Sequence, residues 1–105
     1  MTGGTGFIGR YVIARLVADG HRPTVTQFGL VPSDFKHASH VDLIDLDLRE
    51  TDEVAKLVDT LRPNLVVHLA GVTGQSAPEG LLCEELNHRA TTHLLDRLAD
   101  TAVRK

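Results

Sequence analysis

The sequence predicts an α/β fold built around a doubly wound parallel sheet. Three observations support this: a glycine-rich loop that feeds a helix, an alternation of strand-like and helix-like segments, and a nearly continuous apolar run at residues 65–70. A run of that kind is typical of a strand covered on both faces. The order loop–α–β–β–α–β–α implies right-handed crossovers between parallel strands. No domain boundary is visible, so residues 1–105 are taken as one domain.

The first half of the chain supplies one helix and two strands. The helix follows the glycine loop and stops at Gly20. A β-prone stretch within residues 23–28 predicts a strand, residues 29–39 read as a loop, and residues 41–46 alternate apolar and acidic residues as a strand near the edge of a sheet does. The predicted apolar stripe of the helix consists of Ile8, Val12, Ile13, Leu16 and Val17.

The second half adds two helices around the apolar strand. Thr51 is expected to cap the first of them, and Pro63 to end it. Its stripe consists of Val54, Leu57, Val58 and Leu61. Residues 71–78 read as a loop, and a long helix is predicted over residues 79–102. The apolar face of that helix consists of Leu82, Leu86, Ala90, Leu94 and Leu98.

Composition and charge argue against several classes of function. The net charge is -3 and there is no dense basic run, which argues against a nucleic-acid partner or an anionic membrane surface. No apolar run is long enough to span a bilayer. With one cysteine and no visible secretory leader, we expect the reducing cytoplasm. The histidines lack the spacing of a metal site, so no metal is expected.

The glycine loop carries the clearest chemical signal. Gly3, Gly6 and Gly9 are spaced GxxGxxG, which suits a tight turn, a close backbone approach to a pyrophosphate, and close packing of the helix on the sheet, in that order. The amides of Phe7 and Ile8 would then face the phosphates. This is the pattern of a Rossmann-type fold. Only two residues precede the loop, so we expect an incomplete sheet whose first strand is largely missing.

Four segments together resemble the extended short-chain dehydrogenase/reductases, and within them the NAD-dependent epimerase/dehydratase family. They are residues 2–9, Asp47 with Leu48, residues 68–71, and Asn87 with Thr91. They agree in order and spacing over almost the whole chain. The resemblance implies an NAD- or NADP-dependent oxidoreductase or isomerase that acts on a small molecule, typified by the nucleotide-sugar epimerases. It also implies an N-terminal fragment and a homodimer.

The resemblance further implies a set of cofactor-binding residues beyond the loop. Asp47 would accept a hydrogen bond from the adenine amine, although a solvated loop acid or a helix cap is the alternative. His68 is interpreted as a packed strand residue. The implied set is Asp47, Leu48, Leu69, Ala70, Gly71 and Asn87.

Two departures from the family pattern affect the prediction. Gln27 occupies the position whose residue type usually determines the preference for NAD or NADP. Because Gln27 is uncharged, the sequence leaves the cofactor choice open. The family's catalytic Tyr-x-x-x-Lys pair is missing: the one tyrosine is Tyr11, with Arg15 four residues later on the first helix. Ser76 comes too early to be the catalytic serine. No catalytic residue is assigned.

Three functions therefore stay open. The first is the NAD(P)-binding portion of a nucleotide-sugar epimerase or dehydratase, with reduction of a non-sugar carbonyl compound as a variant. The second is a non-catalytic NAD(P)-sensing module. The third is a domain whose glycine loop is only a turn and binds nothing.

Overall fold

The computed structural model describes residues 1–71 and 84–99. Most of the predicted loop 71–78, the start of the predicted helix 79–102 and its last residues lie outside these ranges, as do Ser76 and the single cysteine. The chain divides into two compact units, one of Met1–Leu46 with Val67–Ala70, the other of Asp47–Val66 with Gly71–Lys105. The helices and strands are α1 Phe7–Ala18, β1 Thr24–Gln27, a 3-10 turn Ala38–His40, β2 Asp42–Asp45, α2 Thr51–Leu61, a π-helical segment Glu84–Arg89 and α3 Ala90–Leu98.

The first unit is built on a parallel sheet. Strands β1 and β2 pair in register from Thr24 opposite Asp42 to Gln27 opposite Asp45. Thr2 forms parallel bridges to Thr26 on one side and to His68 on the other, so it takes the place of a central strand. The resulting order, β2, β1, Thr2 and the segment around His68, is the 3-2-1-4 part of the strand order of a Rossmann fold. The predicted fold class, an α/β fold with a parallel sheet of the Rossmann type, is confirmed.

The core of the first unit lies between α1 and this sheet. Ile13 and Val25 are completely buried, and Phe35 and Val41 complete the cluster with them. Phe35 belongs to the connection between β1 and β2, which the sequence indicated only as a loop. This connection joins parallel strands without an α-helix, and the Phe35 ring supplies the apolar cover that such a helix would give.

Helix α1 ends as predicted, although its buried face differs from the predicted stripe. Gly20 has φ +88° and donates its N–H to the carbonyl of Val17 at 3.0 Å, while His21 donates to Leu16 at 2.9 Å. These two bonds form a Schellman motif. The buried positions on the helix are Gly9 and Ile13, whereas Ile8 is exposed. The prediction that Ile8 belongs to the packed stripe is therefore wrong, because the buried face of the helix runs through Gly9 and Ile13.

The apolar run at residues 65–70 is less covered than predicted. His68 pairs with Thr2, but both Leu65 and Leu69 are exposed. The expectation of a strand covered on both faces is wrong for this chain, because the described residues supply no element that packs over these two side chains.

The second unit is helical in the part that the structure describes. Helices α2 and α3 are in contact, Arg97 on α3 forms an ion pair with Asp59 on α2, and His93 Nε2 lies 3.2 Å from the carbonyl oxygen of Thr51. Thr51 is the first helical residue and Glu50 the N-cap, so the predicted cap is off by one position. The buried apolar side chains of the two helices are Val54, Val58, Ala90, Leu94 and Leu98. Among the described helices, none is long and apolar enough to cross a bilayer.

Candidate functional site

The glycine loop joins the Thr2 bridge to α1, and two glycines of its GxxGxxG motif are sterically required. Gly3 has φ +69°, and a Cβ there would lie 2.6 Å from the amide nitrogen of Ala70 and from the carbonyl carbon of Leu69. A Cβ on Gly9 would lie 2.1 Å from the carbonyl oxygen of Gly3. The turn predicted at Gly3 is thus present, whereas the packing of Gly9 on the sheet was predicted wrongly. The neighbour of Gly9 is the loop backbone itself rather than the sheet.

Gly6 differs from the other two glycines of the motif. A Cβ there would meet only the carbonyl oxygen of Gly3, at 3.4 Å, so no protein atom requires a glycine at this position. Gly6 is the N-cap of α1 and no side chain caps the helix. Among the described residues, no backbone hydrogen bond uses the N–H groups of Phe7 or Ile8. The first N–H groups of the helix are therefore unbonded within the described part of the chain, and no side chain of Gly6 covers them. This arrangement suits the binding of an anion such as a pyrophosphate.

The backbone of Leu69 and Ala70 is held against the loop by Thr2. The buried Thr2 hydroxyl oxygen accepts hydrogen bonds from the amides of Leu69 at 3.2 Å and of Ala70 at 3.1 Å. It also lies 2.6 Å from Nδ1 of His68. Burial lowers the pKa of His68, and the nearby amino terminus lowers it further. The lowered pKa favours the neutral imidazole. The sequence had indicated only that His68 is a packed strand residue.

Gln27 ends β1, and its side-chain amide is held on both sides. The hydroxyl of the buried Thr5 donates a hydrogen bond to Gln27 Oε1. Gln27 Nε2 donates to the carbonyl oxygens of Phe28 and Leu30, each at 3.2 Å. The amide therefore ties the glycine loop to the first residues of the connection between β1 and β2.

Arg10 makes a second link between the same two segments. Its Nε donates to the carbonyl oxygen of Thr5 at 2.9 Å, and its two terminal nitrogens bind Asp34 at 2.7 and 3.0 Å. This forked geometry gives an ion pair its strength and direction. The Arg10 guanidinium holds the pKa of Asp34 below its usual value, mainly through these hydrogen bonds.

In the second unit, Asp47 is paired with Arg49. The Arg49 guanidinium lies 2.8 Å from Asp47 Oδ2, and the Arg49 amide donates to Oδ1 at 2.9 Å. These hydrogen bonds lower the pKa of Asp47. Its neighbour Leu48 is buried. Asp47 is thus an ionised group fixed by its own turn. It does not cap α2, whose N-cap is Glu50.

Gly71 and Asn87 come together within the second unit. A Cβ on Gly71 would lie 2.9 Å from Oδ1 of Asn87, so the small residue admits the amide. Asn87 lies in the π-helical segment Glu84–Arg89, a rare form that is frequently found at functional sites. The sequence predicted both residues separately, and the structure adds that they are neighbours.

No described residue forms a catalytic pair of the family's kind. Tyr11 lies on the exposed side of α1, where its ring contacts Phe7 edge to face at 5.6 Å. Across residues 1–71 and 84–99, no group of three or more potential metal ligands occurs.

Sequence reasoning missed the polar residues that fix the candidate positions within each unit. They are Thr2, Thr5, Arg10 and Asp34 in the first unit and Arg49 in the second. One signal was available for two of them. Thr2 and Thr5 are polar, β-branched residues within a stretch otherwise made of glycines. A hydroxyl in a tight loop usually bonds a neighbouring backbone or side chain.

Comparison with known proteins identifies the family. The family model of the NAD dependent epimerase/dehydratase family matches residues 1–105. The chain belongs to this family. Among curated proteins, UDP-glucose 4-epimerase 4 of Oryza sativa subsp. japonica is 28% identical over 117 aligned positions, which span 100% of this chain and 32% of that protein.

Solved structures agree with this assignment. The chain resembles the UDP-glucose 4-epimerase of Thermus thermophilus in complex with NAD, with 27% identity, a TM-score of 0.78, and coverage of 92% of this chain and 32% of that one. It also resembles a putative epimerase from Burkholderia cenocepacia J2315, with 30% identity, a TM-score of 0.80, and coverage of 98% and 33%. The chain thus spans about a third of the length of the relatives it matches.

Proposed function

We propose that this chain is the NAD-binding portion of a nucleotide-sugar epimerase or dehydratase. The observation that carries the proposal is the start of α1, where the amides of Phe7 and Ile8 are uncapped beside a glycine that no protein contact requires. Relatives named as UDP-glucose 4-epimerases, one of them with NAD bound, support the cofactor and the substrate class.

The residues of each unit suit parts of a dinucleotide. In the first unit, Gly3, Gly6 and Gly9 shape the loop for a pyrophosphate, and the backbone of Leu69 and Ala70 lies directly against that loop. In the second unit, the ionised Asp47 can accept from an adenine amine, with Leu48 beside it. Beside Gly71, Asn87 supplies a side-chain amide that can donate and accept hydrogen bonds.

When bound, the nicotinamide would take up and return a hydride at a sugar carbon. The residues of this chain bind and orient the dinucleotide, and none is assigned a proton-transfer role. Proton transfer in the family pattern needs a tyrosine with a lysine four residues later. We propose that this pair belongs to a part of the protein beyond these residues.

Two experiments would distinguish the proposed sugar enzyme from the NAD(P)-sensing module and from the reductase of non-sugar carbonyl compounds. A Tyr-x-x-x-Lys in the same reading frame would support an enzyme over an NAD(P)-sensing module. Turnover of UDP-glucose by the full-length protein would support the sugar enzyme over a reductase of non-sugar carbonyl compounds.

The direct test is titration of the purified chain with NADH, followed by the fluorescence of the nicotinamide. We expect saturable binding that weakens by at least about tenfold in Gly6→Val, because the added side chain covers the helix start. Arg15→Gln, an exposed position on the same helix, is the matched control and should bind as the native chain does. Absence of saturable binding by the native chain would favour the third reading, a loop that is only a turn.

A further inference from the structure

We infer that this chain binds NADP about as well as NAD. Gln27 stands at the position where a carboxylate would exclude a ribose 2′-phosphate, and Arg10, which is hydrogen-bonded to Thr5 as Gln27 is, brings a positive charge nearby. The inference rests on the proposed function, since it concerns the ribose next to the same glycine loop. All the residues involved belong to the first unit.

The first step concerns position. Gln27 is the last residue of β1, and ligands of open parallel sheets bind beyond the carboxyl ends of the strands. Its hydrogen bond to Thr5 places the amide at the glycine loop. The side chain at this point therefore decides what the adenosine ribose meets.

The second step concerns hydrogen-bonding capacity. An acid at this position would offer two oxygens to the two ribose hydroxyls and would repel a phosphate. Gln27 has no charge. Both protons of its amide nitrogen are used by the carbonyls of Phe28 and Leu30, and one lone pair of its oxygen is used by Thr5. Only one acceptor position stays open for a ribose hydroxyl. Compared with an acid, Gln27 therefore binds the ribose of NAD less strongly and repels the 2′-phosphate of NADP less strongly.

The third step concerns the nearby charge. Arg10 Nε donates to the carbonyl oxygen of Thr5, and Gln27 Oε1 accepts from the hydroxyl of the same residue. The Arg10 guanidinium and the Gln27 amide are therefore linked through Thr5 alone. Of the five N–H groups of the guanidinium, three are used by Thr5 and Asp34, which leaves two for a phosphate. Asp34 neutralises Arg10 in this structure, and it is the carboxylate that a 2′-phosphate would have to compete with.

The test compares dissociation constants for NADPH and NADH, measured by fluorescence titration on the native chain and three variants. The native values should agree within about tenfold. Gln27→Asp should weaken NADPH relative to NADH by at least about tenfold, because it restores a carboxylate. Asp34→Asn should tighten NADPH severalfold and leave NADH unchanged, because it frees Arg10. Arg15→Gln, whose partner Asp19 lies on the far part of the helix, is the control and should leave both constants unchanged.

The outcomes separate the two proposals. A native preference for NADH of well over tenfold, or a ratio that neither Gln27→Asp nor Asp34→Asn alters, would overturn this inference and leave the proposed function standing. If neither dinucleotide binds, the proposed function fails and this inference fails with it. Asp34 is an exposed residue of a loop, so Asp34→Asn keeps the test decisive if Gln27→Asp impairs folding.

Discussion

The hydroxyl of Thr2 lies 2.6 Å from Nδ1 of His68 on the neighbouring segment of the sheet. Because this oxygen already accepts two backbone N–H groups, its own proton is directed at the imidazole. This arrangement fits a neutral His68 whose Nδ1 accepts the hydroxyl proton. The pair fixes the backbone at Leu69 and Ala70, which lies against the glycine loop.

The state of His68 makes stability depend on pH. Its pKa in the folded chain is below the unfolded value of about 6.5, so the unfolded chain takes up a proton first as the pH falls. The contribution to stability is complete above about pH 6.5 and is lost as the pH falls through the folded pKa. We expect the thermal midpoint to fall more steeply below this pH in the native chain than in His68→Asn. His21→Asn, at an exposed position, is the control, and equal slopes in the native chain and His68→Asn would contradict the prediction.

The glycines of the loop should differ in what they contribute to folding. Gly9→Ala places a methyl group 2.1 Å from the carbonyl of Gly3 and should lower the free energy of unfolding by about 2 kcal/mol or more. Gly6→Ala meets only an ordinary contact and should cost about 1 kcal/mol or less. Urea denaturation of both variants measures the difference. Similar losses for the two would show that the loop packs in another way.

Phe35 should be among the most stabilising side chains outside the helices and strands. It is buried with Ile13, Val25 and Val41, so Phe35→Ala should cost about 3–5 kcal/mol, enough to unfold a small domain. Phe28→Ala is the matched control in the same connection, since that ring is largely exposed. Its effect on stability should be within about 0.5 kcal/mol. Circular dichroism against denaturant compares the two, and equal effects would refute the buried role of Phe35.

The Asp47–Arg49 pair should be visible in an NMR titration of the Asp47 carboxyl carbon. We expect its pKa to lie below the usual value of about 3.9 and to rise toward it in Arg49→Gln. The lowered pKa contributes stability above about pH 4, which is lost as the pH falls through the folded pKa, so Arg49→Gln should lose less stability on acidification. Arg62→Gln should leave the titration unchanged. An unshifted Asp47 in the native chain would disprove the pairing.

The parts of the fold that depend on local rules could be read from the sequence. The turn at Gly3 and the helix stop at Gly20 follow from backbone conformations that glycine adopts without strain. Strands β1 and β2 followed from apolar patterning and turn residues. The edge position of β2 followed from its alternation of apolar and acidic residues.

The parts that depend on distant partners could not be read in this way. The apolar periodicity predicted a hydrophobic face on α1 but not how the helix is rotated about its axis relative to the core. Ile8 was therefore predicted to be packed, although it is exposed. The burial of Phe35 and the bond between Thr5 and Gln27 join residues far apart in sequence, and no local pattern encodes them. The candidate site was therefore predicted as a set of positions, while the polar contacts that hold Gln27 and Asp47 came from the structure.

The π-helical segment Glu84–Arg89 has an evolutionary consequence. Such a segment usually amounts to one residue inserted into an α-helix. Deleting one residue between Asn87 and α3, either His88 or Arg89, would turn Asn87 by about 100° around the helix axis relative to α3. Asn87 would then leave Gly71 while Leu94 and Leu98 stayed in place. A one-codon deletion at His88 or Arg89 could thus separate Asn87 from Gly71 without unfolding α3.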